Sequence, residues 1–95
     1  MEPYNNMIEK ELKICNQKGL HARAAAAFVK CVADIDATVR VEKDGVEADG
    51  CSILSLMMLS ASKGSTIKLI AKGNEAQKAI DALSLLINSR FGEDL

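Results

Sequence analysis

The apolar positions of the chain switch repeatedly between alternating and helical spacing, and the switches divide it into elements. From Met7 to Ile14, Ile8, Leu12 and Ile14 share one parity while Glu9, Glu11 and Lys13 share the other, the period of a half-buried strand; Lys10 is the one misfit. Asn16 to Leu20 reads as a loop, with Gly19 placed to supply a backbone conformation that a side chain resists. A helix is expected from about Ala22 to Ala33, because Ala25, Phe28, Val29 and Val32 recur at helical spacing while Arg23, Lys30 and Asp34 can face water. The alanine run Ala24–Ala27 favours it further.

Between Thr38 and Asp49 the pattern is strand, turn, strand: Val39 and Val41 alternate with Thr38, Arg40 and Glu42, then come Asp44-Gly45, Val46 and Ala48. Asp-Gly between alternating runs predicts a hairpin whose turn needs positive φ. Ser52 is placed to cap a short helix running to about Ser60, closed by Lys63-Gly64-Ser65. Thr66 to Ala71 alternates again, with Ile67, Leu69 and Ala71 on one side. After the turn at Gly73-Asn74, Asn74 and Gln77 have the spacing of a capping box, and Ala76, Ile80, Leu83 and Ile87 draw the stripe of a last helix ending before Gly92. The order β-α-β-β-α-β-α predicts an α+β fold: a two-layer open-faced sandwich, one four-stranded antiparallel sheet with three helices on one face.

Composition narrows the classes. A chain of 95 residues, 48% hydrophobic, supports a single small domain over residues 1–95 with one packed core, and three aromatics make that core aliphatic. Twelve Lys and Arg against thirteen Asp and Glu remove the electrostatic reason to expect nucleic acid as a general partner. Cys15, Cys31 and Cys51 have no CxxC spacing and there is one histidine, so no zinc framework or other metal site is expected; three free, mostly buried thiols are. Met1–Asn6 has no leader pattern and no stretch approaches the ~20 apolar residues of a membrane span, which predicts a cytoplasmic protein without direct membrane insertion.

The helix Ile53-Leu54-Ser55-Leu56-Met57-Met58-Leu59 has one polar residue, yet a two-turn surface helix has one buried face. If Leu56 and Leu59 share that face, some of Ile53, Leu54, Met57 and Met58 stay outside. Such a patch is either an interaction surface or is covered by neighbouring segments.

The remaining chemistry lies at the first helix start. His21 follows the glycine loop and precedes the alanine run. Unpaired N–H groups and the positive end of the helix dipole welcome an anion there and keep the imidazole neutral, with a lone pair free for attack. Those N–H groups and the Arg23 guanidinium could then bind an attached phosphoryl group. No Ser-His-Asp order, Walker loop or acidic cluster accompanies the histidine, so a self-sufficient hydrolase is not indicated.

The stretch Gly19-Leu20-His21-Ala22-Arg23 and the second helix Ser52-Ile53-Leu54-Ser55-Leu56-Met57-Met58-Leu59, with the element order, resemble the HPr family of phosphocarrier proteins. The resemblance runs from the first strand to Arg90-Phe91-Gly92-Glu93-Asp94. It implies a carrier rather than a stand-alone enzyme, without a cofactor. His21 would accept on Nδ1 a phosphoryl group that Enzyme I takes from phosphoenolpyruvate, and an EIIA-type domain would receive it. Arg23 would stabilise the group; Asn16, Gly19, Ala22 and Ala24 would form the active-site loop; Ala26, Ile53, Leu54 and Met57 would form the docking face.

The family usually has proline where this chain has Ala24, which adds an N–H donor and some freedom, bearing on transfer rate more than on transfer itself. Ser52 aligns with a serine modified by an HPr kinase in part of the family, beside its ordinary reading as a helix cap. The branch stays open between sugar uptake and nitrogen-related regulation, although Val46–Asp49 and Ile87–Asp94 are more similar to nitrogen-branch (NPr-type) carriers. A monomer is the simplest state for a carrier that shows one face to two partners. The competing reading is a regulatory docking module of the same fold acting on a kinase or transcription factor; an unrelated small α+β ligand-binding domain is a further one.

Overall fold

The computed structural model describes residues 6–95; the Met1–Asn5 part of the segment read for a leader pattern lies outside them. Its elements are β1 (Met7–Lys13), α1 (Ala22–Val32), β2 (Thr38–Lys43), β3 (Val46–Asp49), α2 (Ile53–Met57), β4 (Thr66–Lys72) and α3 (Ala76–Asn88), followed by a 3-10 turn at Arg90–Gly92. The strands lie in the order β1-β4-β2-β3, all antiparallel. Strand β4 fills the gap left when α1 carries the chain from β1 across the sheet to β2.

The alternation read along each strand becomes two faces. Ile8 stands opposite Ala71, Leu12 opposite Ile67, and Val41 between Leu69 and Ala48. With Val39, these residues face the helices, and Val39, Val41, Ala48, Ile67, Leu69 and Ala71 are buried. The opposite face is a lattice of charges, Lys68 lying 3.7 Å from both Glu9 and Glu42, and Arg40 2.7 Å from Glu47. Such exposed pairs add little stability but keep that face wet. Lys10, the misfit of β1, is exposed on an edge strand.

Helix α1 presents Ala24, Ala25, Phe28 and Val32 inward, and α3 presents Ala76, Ala79, Ile80, Leu83 and Ile87. Full burial of a side chain such as Phe28 or Leu83 stabilises by about 1.5–3 kcal/mol. Ala24 and Ala25, with no exposed area, let the backbone of α1 lie close to its neighbours. Between β2 and β3 the chain turns on Asp44 at φ 52° and Gly45 at φ 83°, the two positive values the hairpin requires.

Three expectations are corrected. Helix α2 ends at Met57 rather than Ser60: the N–H groups of Leu59 and Ser60 bond the carbonyls of Leu56 and Met57, three residues back, and Ser60 turns at φ 53°. That tighter turn lets both Leu59 and Ala61 point inward. The capping box at α3 is absent: its N-cap is Glu75, and the Asn74 amide donates instead to Asp36 Oδ2 at 3.1 Å. Glu75 Oε1 accepts the Asp36 N–H at 2.8 Å, so both side chains tie the connection before β2. The cysteines are free but not mostly buried: Cys51 is exposed, and Cys15 and Cys31 are partly so. Partial burial pushes the Cys31 thiol up from its ordinary value.

Candidate functional site

The site begins where β1 runs into the loop. Asn16 is fully buried, and its amide nitrogen donates to the Gly19 carbonyl at 2.8 Å, closing the turn across itself. Gly19 sits at φ +67°, and a Cβ there would stand 2.5 Å from the Ala61 carbonyl oxygen. A side chain is therefore barred twice, by conformation and by the backbone beside it. The same carbonyl accepts the Leu20 N–H at 2.9 Å, so the loop is pinned to the segment that follows α2.

His21 is the N-cap of α1. Its backbone is extended and its carbonyl accepts the Ala25 N–H at 2.8 Å, but its side chain caps nothing. Among the described residues the N–H groups of Ala22, Arg23 and Ala24 have no hydrogen-bond acceptor outside the helix. Ala22 and Ala24 are thus the first and third residues of α1, inside the helix expected from about Ala22 rather than in the active-site loop that the resemblance implied; Ala22 is exposed and Ala24 has no exposed area. In a helix's first turn no carbonyl lies four residues back to receive these N–H groups, so a residue without one would lose no helical hydrogen bond at Ala24.

The imidazole has a partner from the far end of the chain. Nε2 of His21 lies 2.5 Å from Oε2 of Glu93, 72 residues later, and Oε1 of Glu93 accepts from the Asn16 amide at 2.9 Å. One buried amide therefore holds both the loop and the carboxylate. The tail reaches this point because Arg90, Phe91 and Gly92 take successive left-handed conformations at φ 59°, 55° and 78°, reversing the chain after α3. Phe91 packs against the core, and the Gln17 N–H donates to the Leu95 carbonyl at 2.9 Å. Hydrogen bonds from Asn16 and then His21 hold the Glu93 carboxyl below the ordinary glutamate range; burial opposes this, and the charges of His21 and Lys18 add to it. Nδ1 of His21 makes no hydrogen bond among the described residues.

Arg23 is exposed and makes no ion pair among the described residues. With Lys18 and Glu93 it lines an open cleft of about 420 Å³ beneath the tail. No group of three metal-ligating side chains occurs among the described residues.

The second helix start is built differently. Ser52 Oγ accepts the Ser55 N–H at 3.1 Å, the expected cap. Leu56 and Leu59 are buried, leaving Ile53, Leu54, Met57 and Met58 exposed, the last by 74%. Helix α1, which packs beside α2, exposes Ala26. The fold thus gathers Asn16, Gly19, His21 and Glu93 at one point with Arg23 at its rim, while Ser52 and the apolar patch belong to the neighbouring helix.

Residues 8–89 match the sequence model of the PTS HPr component phosphorylation site. The chain belongs to the HPr family. The phosphocarrier protein NPr of Shewanella violacea is 37% identical over 86 residues, covering 90% of this chain and 94% of that protein. The phosphocarrier protein HPr of Pseudomonas aeruginosa is 44% identical over 84 residues, 87% of this chain and 93% of the relative. A crystal structure of HPr from Thermoanaerobacter tengcongensis superposes with a TM-score of 0.88 at 42% identity, covering 93% of this chain and 99% of that one. The HPr fold accordingly accounts for the element order and sheet, and the family is one of phosphotransferase-system phosphocarriers.

Glu93 was missed by sequence reasoning. No local pattern links it to His21, and it lies beyond the matched residues 8–89. The available signal was indirect: a Gly92 hinge after an aromatic that could anchor, followed by two carboxylates.

Proposed function

We propose that this HPr-family chain accepts a phosphoryl group on Nδ1 of His21 from phospho-Enzyme I, charged by phosphoenolpyruvate, and passes it to an EIIA-type domain. The observation that carries this reading is the start of α1: an extended N-cap histidine whose Nδ1 is unengaged, beside three N–H groups with no acceptor outside the helix. Those groups and the dipole favour the dianionic product, and Arg23, free of ion pairs among the described residues, supplies an exposed guanidinium. The site offers a place to hold the group, which suits a carrier.

Docking falls to Ala26, Ile53, Leu54 and Met57, to which the exposure of Met58 adds a fifth position. Flexible methionines suit a surface that meets two partners in turn. We read the working unit as a monomer in the cytoplasm, since self-association through this face would cover it. At Ser52 an HPr kinase would place a phosphate of roughly -1.5 to -2 charge next to that face, repelling an acidic partner. Ala24 bears on the transfer rate through the extra N–H it brings to the first turn.

Incubation with phosphoenolpyruvate, magnesium and Enzyme I, followed by intact-mass measurement, tests the reading. One acid-labile, base-stable phosphoryl group is expected on the parent chain and none on His21→Ala; an unlabelled parent, or an equally labelled variant, defeats it. Competition between sugar-type and nitrogen-type EIIA domains for the labelled chain then separates uptake from nitrogen-related regulation.

A further inference from the structure

Glu93 touches the histidine on the nitrogen opposite the one that reacts. Its carboxylate meets Nε2, while Nδ1 has no partner among the described residues. Neutral imidazole carries one proton, and the hydrogen bond made by one nitrogen decides which form prevails. A carboxylate only accepts, so at 2.5 Å from Nε2 it selects the form with hydrogen on Nε2 and the lone pair on Nδ1.

The carboxylate is itself held in place. Oε1 takes the amide of Asn16, which is fully buried and also bonds the Gly19 carbonyl just before the histidine. A separate backbone bond from Gln17 to Leu95 fixes the end of the tail to the same loop. The contact therefore has support on both sides rather than the freedom of a surface ion pair.

We propose that Glu93 is a positioning residue for phosphoryl transfer: it fixes His21 in the tautomer whose Nδ1 is nucleophilic and offsets the charge that the ring gains when Nδ1 is phosphorylated. The role rests on the reading of His21 as the acceptor. In the forward step the Nδ1 lone pair forms the N–P bond while the bond from phosphorus to the donor breaks, its electron pair returning to the donor. The Nε2 proton stays in place, so the ring becomes cationic beside the Glu93 carboxylate, and onward transfer reverses the change. No proton need leave the site in either direction. The helix dipole at the N-cap opposes a cationic ring, and Glu93 supplies the compensating negative charge.

The test uses the full chain and Glu93→Gln, which keeps the shape and removes the charge. Nitrogen-15 spectra of the unphosphorylated imidazole, taken at about pH 8.5 where an ordinary histidine is neutral, should show the Nε2–H form dominant in the parent and a weaker bias in the variant. Single-turnover labelling by phosphorylated Enzyme I should slow roughly tenfold in Glu93→Gln, the effect of losing one charge-assisted hydrogen bond. An unlabelled parent defeats the carrier reading and this role with it. A labelled parent with an equally fast variant, or a variant with the same tautomer ratio, overturns the role of Glu93 alone. A faster variant also overturns it, showing that the tail blocks the site instead of preparing it.

Discussion

The two helix starts on this surface obtain their hydrogen-bond partners in opposite ways. At α2, Ser52 accepts the Ser55 N–H within three residues, so the cap is built from adjacent sequence. At α1, the N-cap His21 leaves the helix N–H groups uncapped and turns its ring to a carboxylate 72 residues away. A local cap stabilises its helix directly. A histidine held by the opposite terminus does less for α1, and its Nδ1 and the adjacent N–H groups remain uncommitted among the described residues. The difference separates a start capped by its own sequence from one whose first-turn N–H groups have no acceptor outside the helix among the described residues.

The largest effect is expected at Asn16, which joins both parts of the α1 site. Asn16→Ala removes the bonds to Gly19 and Glu93, and urea unfolding should show a loss of about 1–3 kcal/mol, because the Glu93 carboxylate loses its amide donor and the Gly19 carbonyl keeps only the His21 N–H. A loss below that of Ser52→Ala would mean that the loop is held mainly by Ala61. Ser52→Ala should lower stability by about 1 kcal/mol, and Ser52→Asp should restore most of it, since aspartate caps as well as serine. Neither change should alter the imidazole spectrum of His21; a shift there would show that the two starts are coupled.

A smaller effect is expected from Glu93 on acidification. Its folded-state pKa lies below the unfolded value, so its stabilising contribution is present above the ordinary glutamate range and fades as pH falls through the depressed folded value. Unfolding at about pH 6 and about pH 3 should show the parent losing more stability than Glu93→Gln over that interval; parallel losses would contradict the contact with His21 and Asn16. The smallest change in stability belongs to Leu54→Glu, within about 0.5 kcal/mol because Leu54 is exposed. Titration calorimetry with Enzyme I should nevertheless show roughly tenfold weaker binding, as expected for a charge placed in an apolar contact. Unchanged affinity would remove α2 from the docking face.

Where the reading went astray, tertiary contacts outbid a local pattern. Asn74 and Gln77 have capping-box spacing, but Asp36 lies close enough to take the Asn74 amide and to give its own N–H to Glu75. The run from Ile53 to Leu59 is apolar enough for a longer helix, yet burial of Leu59 and Ala61 breaks it after Met57.

The sequence alone determined the elements, the two faces of the sheet, the histidine at a helix start and the Ser52 cap. Each of these depends on residues a few positions apart, within reach of periodicity and turn chemistry. Only the tertiary structure decided that Asn16 is buried between the loop and the tail, that Ala61 pins Gly19 and Leu20, and that Glu93 meets Nε2. Those contacts join positions with no shared period. They exist because the core places α3 so that the left-handed turn at Arg90–Gly92 delivers a carboxylate to the histidine.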